Sequence, residues 1–326
     1  MSATREDIVY CYRILLGREP DEQGLDYWTA KAADYGLSPF EVGQMFMNSD
    51  EYKARQWHRD SLYEHLETVS FKGLRLRLPK HDFTYDCLRF ESDYEPYVLN
   101  PLLDLLRPPM NIVDIGANLG LIALPVARAV CPGGRVAAVE ASADNARLLF
   151  ENARLNGIDN IDVYPVGISD EAAWGVLLRD GNSTNYCVVT ERAFIPLCLR
   201  VGKMVPLVRL EAIISGMERI DLIKMDIEGM EYRVLAASWD ALAKQRPMIL
   251  TEYSPRLQQR SSGVQISQYL GFLLDKGYYP TVLVRNGPPQ ELPEPELERV
   301  RQGVQGLLEE ELDRGGTHLD ILFRAR

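Results

Sequence analysis

Apolar positions along the first 66 residues recur three and four apart, the spacing of helices. Ile8, Cys11, Ile14 and Leu15 share one face, Leu25, Tyr27 and Trp28 a second, and Phe40, Val42, Met45 and Phe46 a third. Boundary residues agree with this reading. Thr4 is followed three residues on by Asp7, Gly17 to Asp21 breaks the first helix, and Gly36 stops the second. Ser38-Pro39 starts a third, as N-cap and first-turn proline. Ser49 is read as opening a last helix through Tyr52 and Trp57 toward Leu66. The period then switches. Leu74-Arg75-Leu76-Arg77-Leu78 alternates like a half-buried strand, with Phe83-Thr84-Tyr85 expected to pair back on it. A helix carrying Val98, Leu102, Leu103, Leu105 and Leu106 ends at Arg107-Pro108-Pro109.

From residue 111 short apolar runs alternate with helical stretches, which predicts a parallel sheet covered on both faces. The runs lie at 112–115, 135–139, 161–166, 221–225, 247–251, 279–284 and 318–323. A hairpin is expected from Trp174–Leu178 and Tyr186–Val189, with a polar tip at 180–184 that is a candidate acceptor loop. An acidic helix is expected over Glu296–Leu312. The fold class is therefore α/β: a Rossmann-like, mostly parallel seven-stranded sheet behind a small all-α domain. The expected boundaries are 1–66 for the helical domain and 67–326 for the rest. Within the latter, 67–110 is a lead-in and 111–326 the core.

The stretch Asn111 to Gly120 runs from buried strand through a glycine turn into a helix, the opening of a nucleotide site. Gly116 lets the backbone turn and a ligand come close, and Gly120 lets the helix pack on the strand. Asp114 decides between cofactors. A pyrophosphate seeks amide groups at a helix N-terminus, and an acid two residues before the turn is badly placed for it. S-adenosylmethionine (SAM) carries a sulfonium and an ammonium instead. The next strand ends in Glu140-Ala141, where an acid can accept from ribose hydroxyls. A helix cap and a solvated strand end account for either acid alone; in register they favour SAM. Ser169 and Asp170, past the third strand, can read an adenine amino group or simply make a turn.

A second informative stretch is Asp221 to Glu231. Asp226 and Glu228 follow its strand on the edge where ligands bind in open α/β sheets. Glu228 is the expected general base for a hydroxyl acceptor, with Asp226 orienting donor or acceptor. Lys224 either stabilises a developing alkoxide or pairs with a neighbouring acid. Asp226, Glu228 and Glu252 form a possible but unsupported Mg²⁺ set.

Charge narrows the acceptor. Forty-seven acids against 36 Lys and Arg give a net charge of −11, which argues against a nucleic-acid partner. Cys11, Cys87, Cys131, Cys187 and Cys198 show no metal or disulfide spacing, which suits reduced thiols and a cytoplasmic location. No apolar run reaches membrane-spanning length.

Two resemblances follow. Ile14 to Asp21, Gly24 to Trp28 and Phe46 to Tyr52 resemble a bacterial family of unknown function related to phycobilisome linkers, which implies a docking role through a protein partner or self-association. Val113 to Gly120, Asn152 to Asn156, Asp221 to Glu231, Ile249 to Glu252 and the lead-in Tyr94-Glu95-Pro96 together resemble the FkbM family of SAM-dependent methyltransferases. That resemblance implies the class I methyltransferase fold, with the last strand of the seven antiparallel. It also implies O-methylation of sugar, polysaccharide or natural-product hydroxyls. Asp114, Gly116, Ala117, Asn118, Gly120, Glu140, Ala141 and, at the lead-in, Tyr94 and Glu95 then stand as cofactor contacts. One departure is Pro125, which is expected to kink the helix after the turn. A nicotinamide-dependent oxidoreductase and a catalytically idle scaffold are the competing readings.

Overall fold

The computed structural model describes residues 2–16, 18–52, 63–80, 82–91, 93–179, 184–190, 202–292 and 297–325. Helices Arg5–Leu15, Glu22–Tyr35 and Pro39–Met47 form where the caps place them. Thr4 and Ser38 each close a capping box, and Asp21 accepts from the Gly24 amide at 2.7 Å. Ile8, Cys11, Val42 and Phe46 make a small core, with the Trp28 ring 4.8 Å from Phe46. Tyr27 departs from expectation: it is 56% exposed rather than packed inside. The last helix does not reach Leu66, which opens a strand; Trp57 lies outside the described residues.

Strands β1 (Leu66–Phe71) and β2 (Leu74–Pro79) pair antiparallel, burying Leu74, Leu76 and Leu78. The partner of β2 is thus upstream. Phe83–Asp86 is a helical turn, capped by Asp82 and running into a π turn at Cys87–Glu91. The outer edge of β2 is met by side chains of the helix Ala143–Leu155 and its C-cap. Asn152 accepts from the Arg77 amide (2.7 Å) and donates to its carbonyl (3.1 Å), and Asn156 does the same at Arg75 (2.8 and 2.7 Å). The two amides imitate a neighbouring strand. Asn152→Ala should strand both Arg77 groups and cost about 1–3 kcal/mol. An unchanged melting temperature would remove this anchor from the account.

The main sheet has the order β13-β12-β14-β11-β10-β3-β4-β5. Its members are β3 (Ile112–Ile115), β4 (Val136–Val139), β5 (Ile161–Tyr164), β10 (Leu222–Met225), β11 (Met248–Tyr253), β12 (Tyr278–Leu283), β13 (Gln290–Glu291) and β14 (Leu319–Ala325). The run β11-β10-β3-β4-β5 is parallel, and β14 lies antiparallel between β11 and β12. These are the seven expected strands; β13, two residues long, adds an eighth at the edge. Both faces are apolar, as in a doubly covered sheet. Ile112, Ala138, Leu222 and Leu250 share one core, and Val113, Val139, Ile223 and Ile249 the other. The acidic helix, observed over Leu297–Asp313, buries Val300, Val304 and Leu308 in the second.

A separate four-stranded sheet, β6-β9-β7-β8, goes beyond the expected hairpin. Its strands are β6 (Gly167–Ile168), β7 (Ala173–Arg179), β8 (Tyr186–Val189) and β9 (Lys203–Val208). The hairpin itself is present with Arg179 opposite Tyr186, and β9 lies antiparallel along β7. Val176 and Leu178 join the core of the N-terminal helices, while Leu177 faces Val205 and Leu207. The hairpin tip at 180–183 lies outside the described residues.

Pro125 does not kink its helix. It is the third residue of Ala123–Ala129, in the first turn, where an amide has no intrahelical acceptor to lose. No helix among the described residues is long and apolar enough to cross a membrane. Cys11, Cys87 and Cys187 are buried, Cys131 is exposed, and Cys198 lies outside the described residues.

Candidate functional site

Strands β3 and β10 are neighbours, but the chain leaves β3 toward β4 and β5 and leaves β10 toward β11. Such a switch point opens a crevice at the carboxyl edge of the sheet. A cavity of about 510 Å³ lies there. Asp114, Gly116, Ala117, Asn118, Glu140, Ala141 and Ser169 line it from one side, and Lys224, Asp226, Glu228 and Glu252 from the other. Tyr94 and Glu95 line it as well, from the lead-in.

The glycine turn is built by close approach. Gly116 and Ala117 both donate to the Val139 carbonyl, at 2.9 and 3.0 Å. Gly116 has φ +82°, and a Cβ there would meet the Asp226 carbonyl at 1.9 Å. Gly120 does not line the cavity. A Cβ on it would press on Leu124 and Leu149 at 3.0 Å each, so it serves helix packing as expected. Asn118, itself left-handed at φ +47°, donates its amide to Glu140 at 2.9 Å. The Ser142 amide donates to the other oxygen of Glu140 at 2.8 Å. Burial pushes the Glu140 carboxyl up to about 7, against these hydrogen bonds.

Three buried oxygens in this half have no hydrogen-bond partner: both carboxylate oxygens of Asp114 and the side-chain oxygen of Asn118. They are acceptors facing a cavity, and a donor-rich cation such as the SAM ammonium supplies what they lack. The glycine turn, residues 116–120, carries no Lys or Arg for a pyrophosphate. The residues present therefore fit SAM.

Lys224 stands opposite Asp114 in the parallel register of β10 and β3. Its Nζ lies 3.5 Å from Asp114 and 3.5 Å from Asp226. Burial opposes its charge, but Asp114, Asp226 and Glu95 hold its pKa above the ordinary lysine value. Lys224 is therefore the counter-ion of the site, the pairing option of the two weighed from sequence.

Glu228 has a cation of its own. Arg260 Nη2 lies 3.6 Å from its Oε2, and the backbone is left-handed at φ +57°. The carboxylate expected to act as general base is thus ion-paired. Asp170 does not line the cavity; Arg233 holds its carboxylate at 3.0 and 2.6 Å. Its expected adenine contact is withdrawn, whereas Ser169 stays on the wall.

Glu95, on the lead-in wall, shares the left-handed backbone of Glu228. It is the N-cap of helix Pro96–Leu105, yet it makes no side-chain cap bond and holds a left-handed backbone at φ +42°. Strain of this kind in a non-glycine residue collects at working sites. Burial, then the charges of Asp320 and Asp226, push its carboxyl up to about 7.

The spacing of the motifs did not reveal His318, Asp320, Tyr97 and Arg285, which complete the wall beyond Asp226. His318 Nδ1 lies 3.1 Å from Glu252 and Nε2 3.5 Å from Asp320. Arg285 pairs with Glu311 at 2.9 Å and lies over the Tyr97 ring. Burial, then Asp226 and Glu228, hold Glu252 well above the usual carboxylate range. The signal for His318 and Asp320 is that β14 runs antiparallel, which brings the start of that strand to the carboxyl edge of the parallel strands. Among the described residues, no group of three or more His, Cys, Asp and Glu is placed to hold a metal ion.

The Methyltransferase FkbM domain profile matches residues 114–280, just over half of the chain. A curated 23S rRNA (uracil(1939)-C(5))-methyltransferase RlmD from Hahella chejuensis is 31% identical over 117 residues. That match covers 34% of this chain and 24% of the RNA enzyme, so the chain spans about a quarter of its length. A solved methyltransferase FkbM from Methylobacillus flagellatus is similar at 16% identity and a TM-score of 0.39, over 96% of this chain and 58% of that one. An O-methyltransferase from Bacillus cereus, solved in complex with SAH, is similar at 16% identity and a TM-score of 0.36, over 66% and 74%.

Proposed function

The chain belongs to the methyltransferase FkbM family, and we propose that it transfers the methyl group of SAM to a hydroxyl of a sugar, polysaccharide or related natural product. The observation that carries the donor is the set of orphaned buried oxygens on Asp114 and Asn118 beside the glycine turn. Glu140 and Ala141 hold the ribose end, with Ile168 and Ser169 along the wall that follows. When bound, SAM supplies an electrophilic methyl carbon on a positively charged sulfur.

The protein's work is alignment and proton uptake. Holding acceptor oxygen, methyl carbon and sulfur in line supplies several kcal/mol. The hydroxyl must lose its proton as the new bond forms. Glu95 is the assigned base, since a carboxyl near 7 matches proton acceptance at neutral pH. Asp226 orients the reacting groups, and Glu228, locked on Arg260, anchors the turn. The base must be deprotonated to act, so turnover should rise with pH and level off above about 7. Glu95→Gln should lower kcat about 10²–10³-fold and flatten that rise, with SAM affinity little changed. A variant that keeps both the parent rate and the parent pH profile would exclude Glu95 as base.

An RNA acceptor, suggested by the short likeness to the rRNA enzyme, is disfavoured by the net charge of −11 and by a cavity in which acids outnumber basic side chains. The N-terminal helices are proposed as a docking module for a protein partner. The defining test is calorimetry with SAM and with NAD, followed by mass analysis of glycans incubated with labelled SAM. Binding of NAD in preference to SAM would overturn the proposal. SAM binding without transfer to any hydroxyl would leave the idle-scaffold reading.

A further inference from the structure

The four-stranded sheet is a wall with two apolar faces. Side chains alternate between the faces of a strand, and the register of β7 and β8 sorts them. Leu178 stands opposite Cys187, and both join Val176 in the core of the N-terminal helices, with Ile8, Val42 and Phe46. Leu177 stands opposite Val188, and that face carries Tyr186 and Leu207 to the cavity. Val176, Leu178 and Cys187 do not line the cavity. A sheet with two apolar faces needs a layer on each, and the helices supply the outer one. Polar groups tie the start of β8 to the donor half. Thr184, buried just before the strand, donates its amide to Asp82 at 2.7 Å, and its carbonyl accepts from the Asn145 side chain at 2.8 Å. The Asn185 side-chain oxygen accepts from Asn118 Nδ2 at 2.9 Å. With Nδ2 engaged there, the Asn118 amide keeps its orphaned Oδ1 for the donor.

From this arrangement, and resting on the donor reading above, we propose that the N-terminal helices are a positioning element of the transferase site: they set the place of β8, and β8 holds Asn118 toward the donor through Asn185. Leu178 and Asn185 are the positioning residues. Truncating Leu178 removes packing from the face turned away from the cavity, so β8 shifts outward and the hydrogen bond between Asn118 and Asn185 loses its geometry, on which its strength depends steeply. The Asn118 amide is then free to rotate, and its oxygen is no longer presented. The cost falls on donor binding in a protein that stays folded. A helical cap with no link to the site would lower stability alone.

The test is titration of the full chain with S-adenosylhomocysteine, the spent donor, at a temperature where circular dichroism shows each variant folded. Leu178→Ala should bind it about tenfold more weakly than the parent does. Leu308→Ala is the control. Leu308 is as deeply buried, in the core beneath the acidic helix, and its variant should bind like the parent. Should Leu178→Ala not fold, Val176→Ala, a smaller truncation of the same face, carries the same expected loss. Asn185→Ala should also lose about tenfold, whereas Asn185→Asp, which keeps the acceptor oxygen, should recover most of it. Because Asn185 acts through Asn118, the double variant Asn118→Ala/Asn185→Ala should bind no more weakly than Asn118→Ala alone. Parent affinity in whichever of the Leu178 and Val176 variants folds, or losses at Asn118 and Asn185 that simply add, overturns the inference. Failure of the parent to bind SAM or the spent donor would instead defeat the donor reading, and this inference with it.

Discussion

Lys224→Met should destabilise the protein by about 3–5 kcal/mol, because it leaves Asp114 buried without its cation. Asp114 is 2% exposed, and neither of its oxygens accepts a hydrogen bond. Lys224 Nζ, 3.5 Å away, supplies the compensating charge, and the parallel register of β3 and β10 puts the two residues side by side. The double variant Lys224→Met/Asp114→Asn should regain much of the loss, since it removes both charges together. Its SAM affinity should stay poor, because Asp114 is assigned to the donor's ammonium. Thermal melts of the parent, both single variants and the double variant form a cycle that isolates the pair. A single variant that melts with the parent would show that Asp114 is not held as a buried ion.

Gly116→Ala should weaken SAM binding and lower turnover about a hundredfold, the size expected when reacting groups are displaced by roughly an ångström. Two constraints act at once. The residue sits at φ +82°, and its Cβ would stand 1.9 Å from the Asp226 carbonyl. That contact is with backbone, so the turn after β3 and the end of β10 must move apart. They carry Asn118 and Asp226, and the two halves of the cavity then lose their alignment. Gly157→Ala is the control. It also has a positive φ, +64°, but has nothing within 4 Å, so it should cost about 1 kcal/mol without affecting the donor. Equal SAM affinity for the Gly116 variant and the parent would mean that the close approach is dispensable.

The glycine turn, Glu140, Asp226 and Glu228 were legible because each sits directly after a buried apolar run, and in a parallel sheet all such positions reach one edge. The caps at Thr4, Asp21 and Ser38 were legible for a similar reason: a cap is local chemistry within a few residues. Pro125 misled because its effect depends on where the helix begins, and only two residues decided between a harmless first turn and a broken interior. Phe83-Thr84-Tyr85 misled because their pattern is too short to separate strand from helical turn.

The chain alone determined the α/β class, the strand run and the residues on the glycine-turn side of the cavity, since apolar period, glycine and strand-end acids are written in consecutive residues. Only the tertiary structure decided which charges meet. Lys224 found Asp114 through register, Glu228 found Arg260 on the helix after β11, and His318 reached Glu252 because β14 enters the sheet in reverse. Ion pairs between distant residues depend on burial and distance, and no local pattern carries either.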